Sequence, residues 1–194
     1  MKKRTFLIIL IISNLALCHS QTSEKLNINT STSEIKWTGE YAFYFGGHKG
    51  IIDFKEGHFL KENEVISGGE FIIDMNTIVC TDNDEIDKDS GLVNHLKDPD
   101  FFDVKKYPIA KLVITSVSYH NATQMKIFAD LTIKDITLPI HFEAKVNYTK
   151  KEMTTRFKID RTLWNITYNS KEVEGKLKDG LISDAIGFEV KLSL

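Results

Sequence analysis

Residues 125–148 read MKIFADLTIKDITLPIHFEAKVNY, and this stretch decides the fold. Met125, Ile127, Ala129, Leu131 and Ile133 alternate with Lys126, Asp130, Thr132 and Lys134. Beyond Lys134–Asp135 the alternation resumes: Leu138, Ile140, Phe142, Ala144, Val146 and Tyr148 oppose His141, Glu143, Lys145 and Asn147. Successive strand side chains point to opposite faces, so each run describes a strand with one buried and one wet face, the antiparallel pattern. The two-residue polar break between them suits a hairpin.

Working outward, the same period marks Ile35 and Trp37, then His48, Gly50, Ile52 and Phe54, then Phe71, Ile73 and Met75. It returns in Thr155, Phe157 and Ile159, and in Ile186, Phe188, Val190 and Leu192. Polar breaks at Lys55–Glu56–Gly57, Asn63–Glu64 and Thr149–Lys150–Lys151 read as further turns. The pattern predicts an all-β meander, and about eight such strands closed on themselves leave room for one small ligand. One short helix is predicted, from about Ser90 to Leu96, with Asp89 or Ser90 as its N-cap. It runs into HLKDPDFFDVKKYP (95–108), whose two aromatic–proline turns predict a lid or side wall on the barrel. Large inward residues (Trp37, Phe43, Phe54, Phe71, Phe142, Phe157, Phe188) are interrupted by Gly50, Ala129 and Ala144. That alternation fits a packed core and an apolar cavity equally well, and periodicity does not separate them.

The chain opens with Lys2, Lys3 and Arg4 before an apolar run that is shorter than the ~20 residues of a spanning helix. This reads as a secretory signal over 1–20, cleaved after Ser20, with a lipoprotein site at Cys18 as the rival. Residues 21–32 then form a flexible lead-in, and 33–194 form one barrel domain. The whole chain carries 25 basic and 27 acidic residues; losing the three leader cations leaves a net charge of −5. That is no footprint for nucleic acid. The predicted location is the periplasm or the exterior. Only Cys80 remains after cleavage, so the domain is held by its core and not by a disulfide.

No P-loop, dinucleotide fingerprint or nucleophile elbow occurs, and no catalytic group, metal or cofactor is assigned. Cys80 is followed by Thr81–Asp82–Asn83–Asp84–Glu85, and acidic neighbours oppose thiolate formation. The acids at Asp82, Asp84, Glu85, Asp87 and Asp89 lack the order of a calcium loop and read as a solvated turn. Among five histidines outside the leader, His48 and His95 lie beside motif-like residues; both structural hydrogen bonding and ligand contact suit them.

Taken in order, the blocks Trp37–Thr38–Gly39, Gly47–His48–Lys49–Gly50, GEFIIDM (69–75), HLKDPDFFDVKKYPIAKL (95–112), ADLTIKDITLPIHF (129–142), FKIDRTLWNITY (157–168) and LISDAIGFEVKL (181–192) carry a likeness. The chain resembles the YceI-like family of periplasmic, lipocalin-like polyisoprenoid-binding proteins. It departs at Asp135 and Asn165, where the family usually has glycine; both residue types tolerate positive φ. The resemblance implies an eight-stranded antiparallel lipocalin-like barrel with a long isoprenoid or similar lipid inside. The ligand-contact candidates are Trp37, Phe43, His48, Ile52, Phe54, Phe71, Ile73, Met75, His95, Phe101, Phe102, Leu112, Ile114, Ala129, Leu131, Phe142, Phe157, Arg161, Trp164 and Phe188. Asp98 and Asp103 are expected to cap backbone amides near the lid. Arg161 is expected to be partly buried, stacked on Trp164 or paired with a carboxylate such as Asp74.

Three functions follow as expectations. The first is non-catalytic binding, storage or transport of an isoprenoid or quinone. The second is an enzyme acting on a lipid through His48 or His95 with Asp74. The third is a packed barrel that meets a transient membrane redox partner. The sequence leaves the oligomeric state open.

Overall fold

The computed structural model describes residues 23–82, 86–170 and 181–194, so the signal segment, Cys18 and the start at Gln21 lie outside the described residues. Nine strands appear: β1 (Glu24–Asn27), β2 (Glu34–Tyr41), β3 (Gly47–Glu62), β4 (Val65–Cys80), β5 (Ile109–Asn121), β6 (Gln124–Ile133), β7 (Ile136–Asn147), β8 (Glu152–Asp160) and β9 (Ile182–Ser193). Their order is β1-β3-β2-β9-β8-β7-β6-β5-β4, and β4 pairs back onto β3. The result is a closed eight-stranded antiparallel barrel with β1 as an extra strand. Closure removes the unpaired sheet edges that an open sheet would expose.

The opening stretch forms β6 and β7 as its alternation requires. Ile133 faces Ile136 across a two-residue turn, and both turn residues are left-handed, with φ of 49° at Lys134 and 60° at Asp135. Two-residue hairpins favour that twist, and Asp accepts it at low cost. Asn63–Glu64 turns β3 into β4 in the same way. Asn165, at φ 57°, caps a 3₁₀ turn over Arg161–Trp164.

Three expectations change. Lys55–Glu56–Gly57 is no hairpin: β3 runs straight through, and a bulge between Phe54 and Glu56 shifts its register. An extra residue flips the alternation, so Ile52 and Phe54 point inward before the bulge and Phe59 after it. The lead-in is not flexible throughout, because Glu24–Asn27 pairs with β3 and Ile28 is buried. Phe43 does not face inward; it sits in the β2–β3 loop at 56% exposure.

Inside, Phe142, Phe157 and Phe188 stack in series, with ring centres 4.7 and 5.4 Å apart. Phe71 packs on Phe54 and Phe59. Gly50 opens no void, since a Cβ there would meet the Trp37 indole at 2.4 Å. The Val79 carbonyl oxygen lies closer still to that position, at 1.9 Å, so ring and backbone together require the glycine. Ala129 and Ala144 are likewise fully enclosed. The barrel interior is therefore closely packed at these small residues, and its free space lies among the other inward side chains.

Helix α1 (Gly91–Lys97) starts at Ser90, whose hydroxyl accepts from the Val93 amide. Its C-terminal turn folds back tightly. Phe102 and Val104 amides donate to the Leu96 and Lys97 carbonyls, and Phe101 and Asp103 amides donate to the Asp98 carbonyl. Asp98 thus stabilises the loop with its main chain, not as the side-chain cap expected. Phe101, Phe102 and Val104 are buried as a result, and the segment roofs one end of the barrel.

Candidate ligand-binding site

Two chambers lie under that roof. The outer one, about 370 Å³, is bounded by the end of β2, the start of β9, α1 and the aromatic roof. Trp37, Tyr41, His48, Leu92, His95, Phe101, Arg161, Tyr168 and Ile182 are among its walls. The inner one, about 130 Å³, is enclosed by Ile52, Phe54, Phe59, Phe71, Ile73, Met75, Leu112, Ile114, Leu131, Phe142 and Phe157, with other apolar neighbours. Phe102 and Phe188 line both. These two rings form the partition.

Most of the candidate residues reach one chamber or the other. Three do not. Phe43 is outside, Ala129 is enclosed without lining either space, and Trp164 serves as a plug. Trp164 Nε1 donates to the Ile136 carbonyl at 3.0 Å and lies 3.3 Å from that of Leu131, so its ring closes the barrel end between β6 and β7. Sequence reasoning missed Tyr41, Leu92, Tyr168 and Ile182 in the outer chamber, and Phe59 in the inner one. Phe59 was hidden by the bulge. The outer set comes from three distant segments, which only closure of the barrel brings together.

The outer chamber carries unsatisfied polar atoms. Trp37 Nε1 and His95 Nε2 are both buried without a hydrogen-bond partner among the described residues. The nearest acid to His95, Asp100, is 3.6 Å from Nε2. The His95 ring instead packs on Tyr168 and edge-on to Phe101. A buried donor left unpaired costs roughly 1–3 kcal/mol, so a ligand acceptor reaching Trp37 would recover that cost.

Arg161 is buried to 1% exposure, deeper than expected, and its partners differ from those expected. It donates to the Ile166, Ser183 and Ile182 carbonyls at 2.6, 3.1 and 3.5 Å. Its acid is Asp184 at 3.6 Å, not Asp74, and its ring neighbour is Phe101 at 5.8 Å, not Trp164. Burial lowers its pKa, while Asp184 and Asp160 work against that loss. Arg161 thereby ties the 3₁₀ turn to the first residues of β9 and to the roof.

At the chamber rim, His48 Nδ1 donates to Asp82 at 2.6 Å, and its Nε2 lies 3.2 Å from the Tyr41 hydroxyl. Asp82 also accepts from the Lys49 amide. Burial pushes the Asp82 carboxyl up, but bonds from His48, the Lys49 amide and Cys80 together hold it below the usual carboxylate range. The Cys80 thiol is pushed up, chiefly by burial and further by Asp82 and Asp87. Asp74 is bound to Asn76 through both the amide and the side chain of that residue. Among the described residues the carboxylates facing His48 and His95 are Asp82 and Asp100, so neither histidine pairs with Asp74 as expected.

The barrel and its roofed chamber agree with the comparisons. The family model described as the YceI-like domain matches residues 26–194. The chain belongs to the YceI-like family. A UPF0312 protein of Pseudomonas putida is 34% identical to it over 113 residues, which are 58% of this chain and 54% of that protein. Protein YceI of Escherichia coli is 32% identical over 107 residues, 55% of this chain and 50% of that one. The matched segment thus spans about half the length of these relatives. Among solved structures, BcnA of Burkholderia cenocepacia superposes with a TM-score of 0.66 at 15% identity, covering 85% of this chain and 98% of that chain. The YCEI protein of Campylobacter jejuni gives 0.50 at 17% identity, covering 98% and 96%. At these identities the likeness concerns the YceI-like fold alone.

Proposed function

We propose that this YceI-like barrel binds one amphiphilic lipid, an isoprenoid or a chain of similar character, and stores or carries it unchanged. The observation that supports this reading is the pairing of chambers: an apolar inner pocket behind an outer one where Trp37 Nε1 has no partner among the described residues. The tail enters between Phe102 and Phe188, and an oxygen acceptor near the polar end meets Trp37. The outer volume falls within the ~300–1,000 Å³ range of small-molecule sites. The inner volume is close to that of the ~150 Å³ cavity that holds benzene, so a longer tail requires the partition rings to move. At ~0.8 kcal/mol per buried CH₂, ten enclosed carbons supply affinity with no charged anchor. Carriage suits the site better than conversion, because burial raises the pKa of the nearby Cys80 thiol and, among the described residues, His48 is bonded to Asp82 and the Tyr41 hydroxyl rather than to a serine or a cysteine.

Export belongs to the same proposal and rests on the leader sequence: the mature chain starts at Gln21 in the periplasm or outside the cell. N-terminal sequencing of protein from its own host tests it, and a lipid-modified Cys18 would replace it with an anchored form. For the ligand, native mass spectrometry of that protein, and of protein incubated with geranylgeraniol, should show one bound lipid per chain. A chain that emerges empty and takes up none overturns the reading.

A further inference from the structure

The β2–β3 loop gathers exposed aromatic residues that elsewhere on the described surface occur one at a time. Tyr41-Ala42-Phe43-Tyr44-Phe45 ends in Gly46–Gly47, and Phe43, Tyr44 and Phe45 are exposed, Phe45 to 107%. Phe45 is not a ring resting against the barrel; it stands clear of the fold. The loop around it is built. Tyr41 and Ala42 amides donate to the Gly46 and Leu181 carbonyls, and Gly46 holds a φ of 105° that favours glycine. Gly47 sits so close to Gly39 that a Cβ would meet its carbonyl oxygen at 2.1 Å.

Position gives the loop its meaning. Tyr41 begins it and also walls the outer chamber, so the aromatic tip stands beside the space proposed for lipid. Tyr44 carries the polar edge that settles at the boundary between headgroups and acyl chains, and Phe43 and Phe45 supply apolar area that gains by leaving water. A protruding tip requires no complementary groove in a deformable bilayer, whereas a protein partner would have to supply one. The surrounding charge selects which bilayer. Among the described residues, Glu40, Asp82, Asp87 and Asp89 outnumber Lys49, Lys88 and Lys158 (the last 3.8 Å from Glu40) around this end, which opposes an anionic surface.

We infer that the Phe43–Phe45 tip docks the chamber mouth onto a zwitterionic lipid surface by inserting its rings, so that cargo passes between bilayer and barrel without crossing water. This rests on the lipid-binding reading above, and its test separates the two. Wild-type protein and the variant Phe43→Ser/Phe45→Ser are each co-sedimented with phosphatidylcholine vesicles, and separately with vesicles containing phosphatidylglycerol, at low and high salt. Both altered side chains are exposed and line neither chamber, so melting and geranylgeraniol uptake from ethanol should match wild type. The wild type should bind vesicles at both salt levels, and the variant should bind roughly tenfold or more weakly. Three results overturn the inference: no vesicle binding by the wild type, equal binding by the variant, or binding confined to anionic vesicles at low salt. A wild-type dimer that the variant dissolves, without vesicle binding by either, overturns it too and assigns the tip to a second copy. Loss of geranylgeraniol uptake in the wild type would instead strike the lipid-binding reading, whatever the vesicles show.

Discussion

Lys134 Nζ donates to the Phe101 carbonyl at 2.8 Å and comes within 3.4 Å of that of Pro99. The turn between β6 and β7 therefore holds the roof at its most aromatic point. This joins two stretches that stood out separately in the sequence, and it makes the roof a part of the barrel rather than an appendage.

Lys134→Met keeps the aliphatic stem and removes the donor. Losing a hydrogen bond from a charged group costs about 1.5–3 kcal/mol, and here the loss falls on one local unit. Hydrogen exchange should accelerate at the Phe102 and Val104 amides, which bond back to α1, while amides in the β6–β7 ladder keep their protection. Uniform protection across the roof would show that its own packing suffices.

The partition predicts opposite outcomes for two substitutions. Phe102→Ala merges the chambers, costs roughly 3–5 kcal/mol, and should let native mass spectrometry detect longer retained chains. Ala129→Phe overpacks a site that is 1% exposed and lines neither chamber, so it should lose about 1–3 kcal/mol with lipid capacity unchanged. Chemical denaturation reads the first quantity in each case and bound-lipid mass the second. Displacement of lipid by the Ala129 substitution would place the cavity deeper than the two chambers described.

Arg161→Lys retains the charge but loses the planar fork that reaches three carbonyls. An ammonium group on a flexible stem does not span Ile166 and Ser183 together. We expect a loss of at least about 1.5–3 kcal/mol in denaturant unfolding, the contribution of one bond to a charged donor. An unchanged unfolding midpoint would mean that the carbonyls are satisfied by water.

Asp82 sets a pH dependence. Its folded pKa lies below the unfolded value, so its ionised form stabilises the native state. The contribution is fully present above about pH 4 and is lost as pH falls through the lower folded value. Asp82→Asn should be less stable than wild type at neutral pH, and the two melting curves should converge in acid. A gap that stays constant from neutral pH into acid would remove Asp82 from the acid response.

The period-two pattern of residues 125–148 settled the antiparallel class, the hairpin at Lys134–Asp135 and the inward identity of Ile127 and Leu131. Alternation is local, and a strand's two faces are written in its own residues. An N-cap at Asp89 or Ser90 was legible for the same reason, since a cap and the amide it serves are three residues apart or fewer, and the structure selects Ser90. Phe59 was not, because a single bulge residue reverses the alternation without leaving a compositional mark. The site itself was fixed later still. Asp82 meets His48 across 34 residues, and Arg161 finds its carbonyls at Ser183 and Ile182, through the pairing of strands and not through any local motif. Gly50 shows the limit most plainly: its small size suited a packed core and empty space equally, and the Trp37 indole from the neighbouring strand fills the place. Whether a small inward residue makes a cavity depends on the side chain opposite, and only the closed barrel decides which one that is.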